Sequence, residues 1–280
     1  LRLKRRFGIP YLVTSHGGDL FGLRGRVLNA LKRRVAAASS AMTVVSSAMR
    51  DEATVIGLQS PELVVLPMGV DLRERFVPGA GEERATDELL FVGRLVPKKG
   101  LPHLLDAMPK VLARRPTTRL NIAGFGPEEA SLRAQASRLG IESSVNFLGA
   151  MPQASLPQLY RRASVFVAPF IRDDSGNQEG LPVVLMEAIG CGCPVVVGEV
   201  AGVHDLLGDA AIEVCVDPRN ADALAAAILA TLDDRERAQE QAKRIRDAAV
   251  SRVDWGVIAE GYADLIASCA REMPPEERRP

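Results

Sequence analysis

The chain alternates short apolar runs with longer amphipathic stretches, in two blocks. In the first block, strand-like runs fall at 10–14, 41–46 and 63–66, with helical periodicity at about 24–38 and 46–56 between them. A polar, glycine-containing linker follows from about Pro78 to Asp87. The rhythm then restarts, with runs at 89–93, 119–123, 144–147, 164–168, 194–197 and 211–214 separated by helical patterns. Apolar runs without polar alternation are strands buried on both faces, and their alternation with helices predicts a parallel, doubly wound α/β sheet over 84–253. Asp254-Trp255 to Ala270 reads as an amphipathic helix, and the closing PPEERRP as a polar tail without structure. The resulting division is 1–77, 78–253, a C-terminal helix at 254–272 and a tail at 273–280. Three strands make a thin first sheet, and the chain enters it almost at once from a basic segment. It therefore reads as starting inside a domain; the alternative is a short chain whose exposed sheet edge is covered by a partner.

Composition adds exclusions more than identity. At 47% hydrophobic over 280 residues, one large or two ordinary cores are within reach. Lys plus Arg and Asp plus Glu stand at 35 each, so no global field draws the chain to nucleic acid. Cys191 and Cys193 flank a single glycine, while Cys215 and Cys269 are remote, a spacing that fits neither a zinc site nor a disulfide framework. Small-residue packing and a reducing compartment are the expected readings. No apolar run approaches the length of a membrane span, and no secretory leader is visible. The helix at 24–38 carries Leu23, Val27, Leu28, Leu31 and Val35 as an apolar stripe beside Arg24, Arg26, Lys32, Arg33 and Arg34. Such a stripe reads as core-facing, with a lipid-facing helix as the alternative.

The candidate chemistry concentrates in SGNQEGLPVVLMEAIGCGCPVVV, from Ser175 to Val197, where seven residues separate Glu179 from Glu187. Pro182 suits a helix start, because its missing N–H costs nothing there. The amides of Gly180, Leu181 and Val183 would then lie at the positively polarised end of a helix, an anion site. Carboxylates on either side of a phosphate suit the hydroxyls of a sugar nucleotide.

On these residues the chain resembles the retaining glycosyltransferases of the GT-B fold, family 4. The resemblance spans nearly the whole chain and implies two Rossmann-like, doubly wound parallel-sheet domains facing a cleft. The acceptor belongs mainly to the amino-terminal domain, here incomplete, and the donor nucleotide to the carboxy-terminal one. It further implies that the last helix crosses back to the first domain. By the same resemblance Glu179 meets the donor sugar, Gly180, Leu181, Pro182 and Val183 meet the diphosphate, and Glu187 meets the ribose.

Other segments extend the likeness. In Phe91-Val-Gly93-Arg94-Leu-Val-Pro-Lys98-Lys99-Gly100, Arg94 and Lys99 match the family's diphosphate contacts, and Lys98 is expected to face solvent. Two cations at a strand's carboxyl end can stabilise a leaving diphosphate, the work a metal does in other transferases. Asp173-Asp174 is a solvated acidic pair, so neither a metal nor any other cofactor is expected. Asn121-Ile-Ala-Gly124-Phe-Gly126-Pro-Glu-Glu129 lacks the third glycine of a dinucleotide fingerprint and resembles the family's Gly-x-Gly-Pro turn. The segment after Val145-Asn-Phe147 corresponds to the nucleobase pocket, making Met151 a base neighbour or ordinary core. Thr14-Ser-His16-Gly17-Gly18-Asp19 resembles the family's His-Gly turn, which puts His16 on the donor sugar and Gly17 and Gly18 near phosphate; Asp19 caps the next helix or orients His16. Pro67-Met68-Gly69-Val-Asp71 departs from the family turn at Met68, where asparagine is common.

The implied activity is retaining hexosyl transfer from a UDP- or GDP-sugar to a hydroxyl of a glycan, lipid-linked or small-molecule acceptor. His16, Arg94, Lys99 and Glu179 are the expected catalytic groups. A non-catalytic nucleotide-sugar-binding fragment is the alternative; phosphorylase and epimerase readings lack their residues. The expected place is the cytoplasm, with peripheral contact at the cytoplasmic face of a membrane left open.

Overall fold

A computed structural model describes residues 2–23, 25–81 and 83–271, so the polar tail at 273–280 lies outside the described residues. The first block holds α1 (Arg2–Phe7), β1 (Leu12–Ser15), α2 (Arg26–Ala38), β2 (Ala41–Val44), α3 (Ser47–Val55) and β3 (Leu63–Val65). Its three strands are parallel in the order β1-β2-β3. After β1 the chain makes a wide helical turn, Gly18–Gly22, that buries Leu20 and Phe21.

The second block opens with β4 (Glu88–Val92), α4 (Leu101–Arg114), β5 (Arg119–Ala123), α5 (Glu129–Arg138), β6 (Val145–Gly149), α6 (Leu156–Arg162), β7 (Val165–Ala168) and α7 (Val183–Gly190). It continues with β8 (Val195–Gly198), α8 (Ala201–Leu207), α9 (Ala211–Val214), β9 (Cys215–Val216), α10 (Ala221–Asp233) and α11 (Arg235–Val253), and α12 (Trp255–Arg271) closes the chain. The six strands are parallel in the order β6-β5-β4-β7-β8-β9, so the winding direction reverses between β4 and β7. In open α/β sheets the ligand crevice lies outside the carboxyl ends of the strands at that reversal.

Both faces of the sheet are covered, as the uninterrupted apolar runs require. Along β4, Leu89 and Phe91 enter one core with α4, α5 and α10, while Leu90 and Val92 enter another with α6, α7, α8 and α11. That second core runs on into the first block through Met42, Val44 and Met49. Caps follow the residue chemistry: Ser46 accepts from Met49 N–H, Asn220 from the N–H groups of Asp222 and Ala223, and Asp234 from Arg237 N–H.

One expected strand is a helix. The run at 211–214 folds as α9, and the strand beside β8 is the two-residue β9 that follows it. Ala211 and Val214 are buried while Ile212 points into water, a three-residue spacing that suits a helical turn better than a pleat.

The last helix returns to the first sheet. Asp254 accepts from Leu72 N–H at 3.3 Å and Gly256 N–H at 3.1 Å and pairs with Arg73 at 3.0 Å. Leu265 and Cys269 pack on Ala41, and the Tyr262 hydroxyl lies 3.3 Å from that of Thr43. Around the departure from α3-β3, the ring of Trp255 presses on Gly69, where any Cβ would come within 2.6 Å of it.

Candidate functional site

At the reversal point, the loops after β4 and β7 meet. The loop from β4 passes Gly93 and an exposed Arg94, then folds Pro97–Lys99 into a short helical turn. Gly100 ends that turn in the left-handed region (φ 68), and a Cβ there would sit 1.8 Å from the Pro169 carbonyl oxygen. Only glycine permits this approach, which draws the lysine turn against the end of β7.

The result is an ionic cluster. Lys98 Nζ lies 3.0 Å and Lys99 Nζ 3.4 Å from Glu179 Oε1. Lys99 and Glu179 are buried, and the Lys99 ammonium stands over the Phe170 ring at 4.8 Å. Burial holds the Lys99 ammonium below the ordinary lysine range, and the Glu179 charge works against that shift. Lys98, expected in solvent, is therefore a partner of Glu179: the tight turn at Gly100 points two successive lysines at one carboxylate. Glu179 Oε1, a buried oxygen, has these two ammonium groups as its partners, so a ligand hydroxyl reaches it only when they turn elsewhere.

Glu179 leads into α7. Pro182 is the residue just before the helix, one position earlier than a first-turn proline, and its carbonyl accepts from Leu185 N–H at 3.0 Å. Among the described residues, the N–H groups of Gly180, Leu181 and Val183 have no backbone partner. At the other end, Arg246 Nε donates to the Gly190 carbonyl at 2.9 Å and Arg84 Nη2 to the Cys191 carbonyl at 2.7 Å. Two guanidiniums thus neutralise the negative end of α7, and its positive end stays open. These arginines wall a cavity of about 820 Å3 on the far side of α7, away from the glutamates.

Glu187 is buried one turn inside α7. Tyr160 Oη, fully enclosed on α6, donates to its Oε2 at 2.9 Å. Burial pushes the Glu187 carboxyl up, and the Tyr160 hydroxyl, Gln153 and the Arg75 charge pull it back. Tyr160 was not legible as a functional residue. Its only sequence signal is a phenol in an apolar helix, which needs a buried partner without saying which.

The first block meets this site through the turn after β1. Asp19 Oδ1 accepts from the backbone N–H of His16 at 3.1 Å and of Gly17 at 3.0 Å, and Ser15 Oγ bonds to Oδ2. Asp19 therefore shapes the turn and does not touch the imidazole of His16, which is exposed. The Gly17 amide, expected near phosphate, is committed to Asp19. Gly17 (φ 117) instead brings backbone to backbone, since a Cβ on it would lie 3.3 Å from Gly180. Gly18 is exposed with open space around it. Farther along the seam, Asp205 Oδ2 accepts from Ser47 N–H at 2.9 Å, and Gly202 packs so closely that a Cβ would fall 1.8 Å from the Gly180 carbonyl oxygen.

Met151 belongs to a separate apolar cavity of about 320 Å3 beyond Arg94, walled also by Val92, Gly93, Ala123, Gly124 and Phe125. Its walls come from the carboxyl ends of β4, β5 and β6. Asp173 serves its own loop, its Oδ1 accepting from Ser175 N–H, Ser175 Oγ and Asn177 N–H. Cys191 and Cys193 are buried, with thiols pushed up by burial to about 12 and about 11, as packing residues would be.

Comparison with known proteins gives the family and the fold. The family model described as glycosyl transferases group 1 matches residues 73–249, and that described as a glycosyl transferase 4-like domain matches 1–69. The chain is 29% identical to a glycogen synthase of Mycobacterium tuberculosis over 100% of its own length and 68% of the relative's. It is 32% identical to a GDP-mannose-dependent alpha-(1-6)-phosphatidylinositol monomannoside mannosyltransferase of Mycolicibacterium smegmatis, covering 95% of this chain and 72% of that one. Among solved structures, sucrose-phosphate synthase from Thermosynechococcus elongatus superposes with a TM-score of 0.82 at 23% identity, covering 97% of this chain and 71% of that one. Anabaena HepE in complex with UDP and glucose gives 0.81 at 21%, covering 92% and 72%. These likenesses establish the GT-B architecture of two sheets facing a cleft.

Proposed function

The chain belongs to the glycosyl transferases of group 1, and from that premise we propose that it moves a hexosyl group from a nucleoside diphosphate sugar, UDP- or GDP-linked, to a hydroxyl of a glycan or lipid-linked acceptor. The observation that carries the donor assignment is the pair Glu179 and Glu187 on either side of three unpartnered amides at the start of α7. A diphosphate fits those amides, and the carboxylates accept hydroxyls from the sugar on one side and the ribose on the other. The apolar cavity at Met151 takes the base, with Phe125 as the exposed aromatic at its mouth.

The costly step is departure of the diphosphate. Arg94, Lys98, Lys99 and the open end of α7 stabilise the charge that develops on it, in a partly enclosed site where such contacts are strongest. Substrate entry hands the two ammonium groups from Glu179 to phosphate, which releases Glu179 Oε1 to accept a sugar hydroxyl. His16 faces the sugar from the first block, and the acceptor attacks on the leaving-group face, so the anomeric configuration is retained. Because the cations already stand around the diphosphate, the reaction proceeds without a metal. Cys191, Cys193 and Cys215, held as thiols without a disulfide, accord with a reducing compartment such as the cytoplasm.

Calorimetric titration with UDP, GDP and ADP, with and without magnesium, tests the donor site. The expected result is metal-independent binding of one nucleotide, weakened at least about tenfold by Glu187→Ala. Equal binding by wild type and variant removes Glu187 from the site, and an inverted product anomer removes retention.

A further inference from the structure

The apolar stripe of α2, expected to face the core, faces water. Of the helix's residues only Ala36 is buried, and the other positions turned toward the protein include Asn29 and Lys32. Val27 is 83% exposed, Leu31 54% and Leu28 40%, and Leu23 just ahead of the helix is 54% exposed. Val27, Leu28 and Leu31 share one face by helical spacing, so they form a continuous aliphatic patch and not scattered single residues. The inversion has a local cause. The inward positions are used for anchoring, with Lys32 Nζ bonded to the Leu23 carbonyl and Tyr11 Oη donating to the Val35 carbonyl at 2.9 Å.

The charges that α2 itself carries have one sign. No acid occurs in 26–38, which carries Arg26, Lys32, Arg33 and Arg34. Across residues 1–40, nine Lys and Arg face Asp19 alone, although the whole chain balances at 35 and 35. Asp19 is itself committed to the His16 turn. Arg33 bonds to the neutral Ile56 carbonyl at 3.0 Å, and Arg26 and Arg34 make no ion pair among the described residues. Lys4 Nζ bonds to the Ala38 carbonyl at 2.8 Å, which brings the basic α1, with exposed Phe7 as its last residue, to the end of the same helix.

We propose that α2 docks on an anionic lipid surface, with Val27, Leu28 and Leu31 in the boundary between headgroups and acyl chains and the flanking cations on lipid phosphates. Charge complementarity selects this occupant. A second copy would oppose the same positive field to itself, and a neutral partner would leave the guanidiniums without counter-charge. No helix among the described residues is long and apolar enough to cross a membrane. The helix follows directly on the His16 turn, which places the acceptor side of the cleft beside a lipid-borne hydroxyl. The docking itself does not depend on the transfer chemistry.

The test is sedimentation of the chain with vesicles of phosphatidylcholine alone or of equimolar phosphatidylglycerol and phosphatidylcholine, without donor nucleotide. The expected binding is at least about tenfold stronger to the anionic vesicles and falls as salt rises. Val27→Ser with Leu31→Ser, and separately Arg26→Ser with Arg34→Ser, each weaken it about tenfold while thermal unfolding and nucleotide binding stay at wild-type values. All four positions are at the surface, so folding survives. Equal binding to both vesicles, no binding to either, or binding that both double variants preserve overturns the proposal. So does a dimer in light scattering that Val27→Ser with Leu31→Ser dissolves in a protein that ignores vesicles. Because no donor is present, failure here leaves the transferase reading untouched.

Discussion

Tyr160→Phe removes one oxygen and keeps the ring that packs edge-on against Phe76 and Phe166, with centroids 6.3 and 5.5 Å away. What it deletes is the hydrogen bond to Glu187 Oε2, made where neither group reaches water. A bond to a charged acceptor in such a place is worth about 1.5–3 kcal/mol, and the loss falls on the ionised carboxylate more than on the neutral acid. Without that bond the Glu187 carboxyl, already raised by burial, rises further. Between the unfolded and the folded carboxyl range, the native state holds a proton that the unfolded chain has released. Stability therefore falls as pH rises through that window, and the variant extends the window upward. The expected stability loss is largest near neutrality and shrinks as the pH falls below the unfolded carboxyl range, where Glu187 is protonated in both states. Nucleotide affinity reports the same group, because the ribose hydroxyls need an ionised acceptor. Titrating UDP or GDP across the acid limb for wild type and Tyr160→Phe should displace the midpoint upward in the variant. An unmoved midpoint, or a stability loss independent of pH, refutes the assignment of Tyr160 as the group that keeps Glu187 charged.

Three further outcomes follow from the geometry. Lys98→Ala and Lys99→Ala should each lower kcat by on the order of tenfold to a hundredfold, because both ammonium groups stand on Glu179; steady-state kinetics in which only Lys99 matters would return Lys98 to solvent. Gly202→Ala drives a methyl into the Gly180 carbonyl and should cost about 1–3 kcal/mol while loosening nucleotide binding, whereas an unchanged melting temperature would mean that α8 does not press on the donor loop. Arg84→Ala strips partners from the carbonyls of Tyr160, Arg161, Ala163 and Cys191 and should lower stability by about 2–4 kcal/mol in denaturant titration. A loss below about 0.5 kcal/mol would mean that water replaces the guanidinium there.

Much of the second block was legible in the sequence, because its strands are buried on both faces and read as uninterrupted apolar runs; β5 at Arg119–Ala123 coincides with its run. The run at 211–214 failed for the opposite reason. A four-residue apolar run suits either a turn of helix or a short strand, and only its burial, Ala211 and Val214 inward with Ile212 in water, separates them. Glu179, Glu187 and Pro182 were legible because proline and glycine mark a helix start whatever surrounds them.

Partners across the chain were not. Twenty-seven positions separate Tyr160 from Glu187, and eighty separate Lys99 from Glu179; the packing of α6 on α7 makes the first pair neighbours, and the pairing of β4 with β7 the second. The same holds for Asp19, whose choice between His16's ring and its backbone depends on how the Gly17 turn is folded. The stripe of α2 states the limit most plainly. Helical spacing determined that Val27, Leu28 and Leu31 share a face, since that is a property of the local backbone. Whether the face looks inward depends on which side the anchoring bonds of Tyr11 and Lys32 turn toward the protein, and that is settled only when distant segments pack.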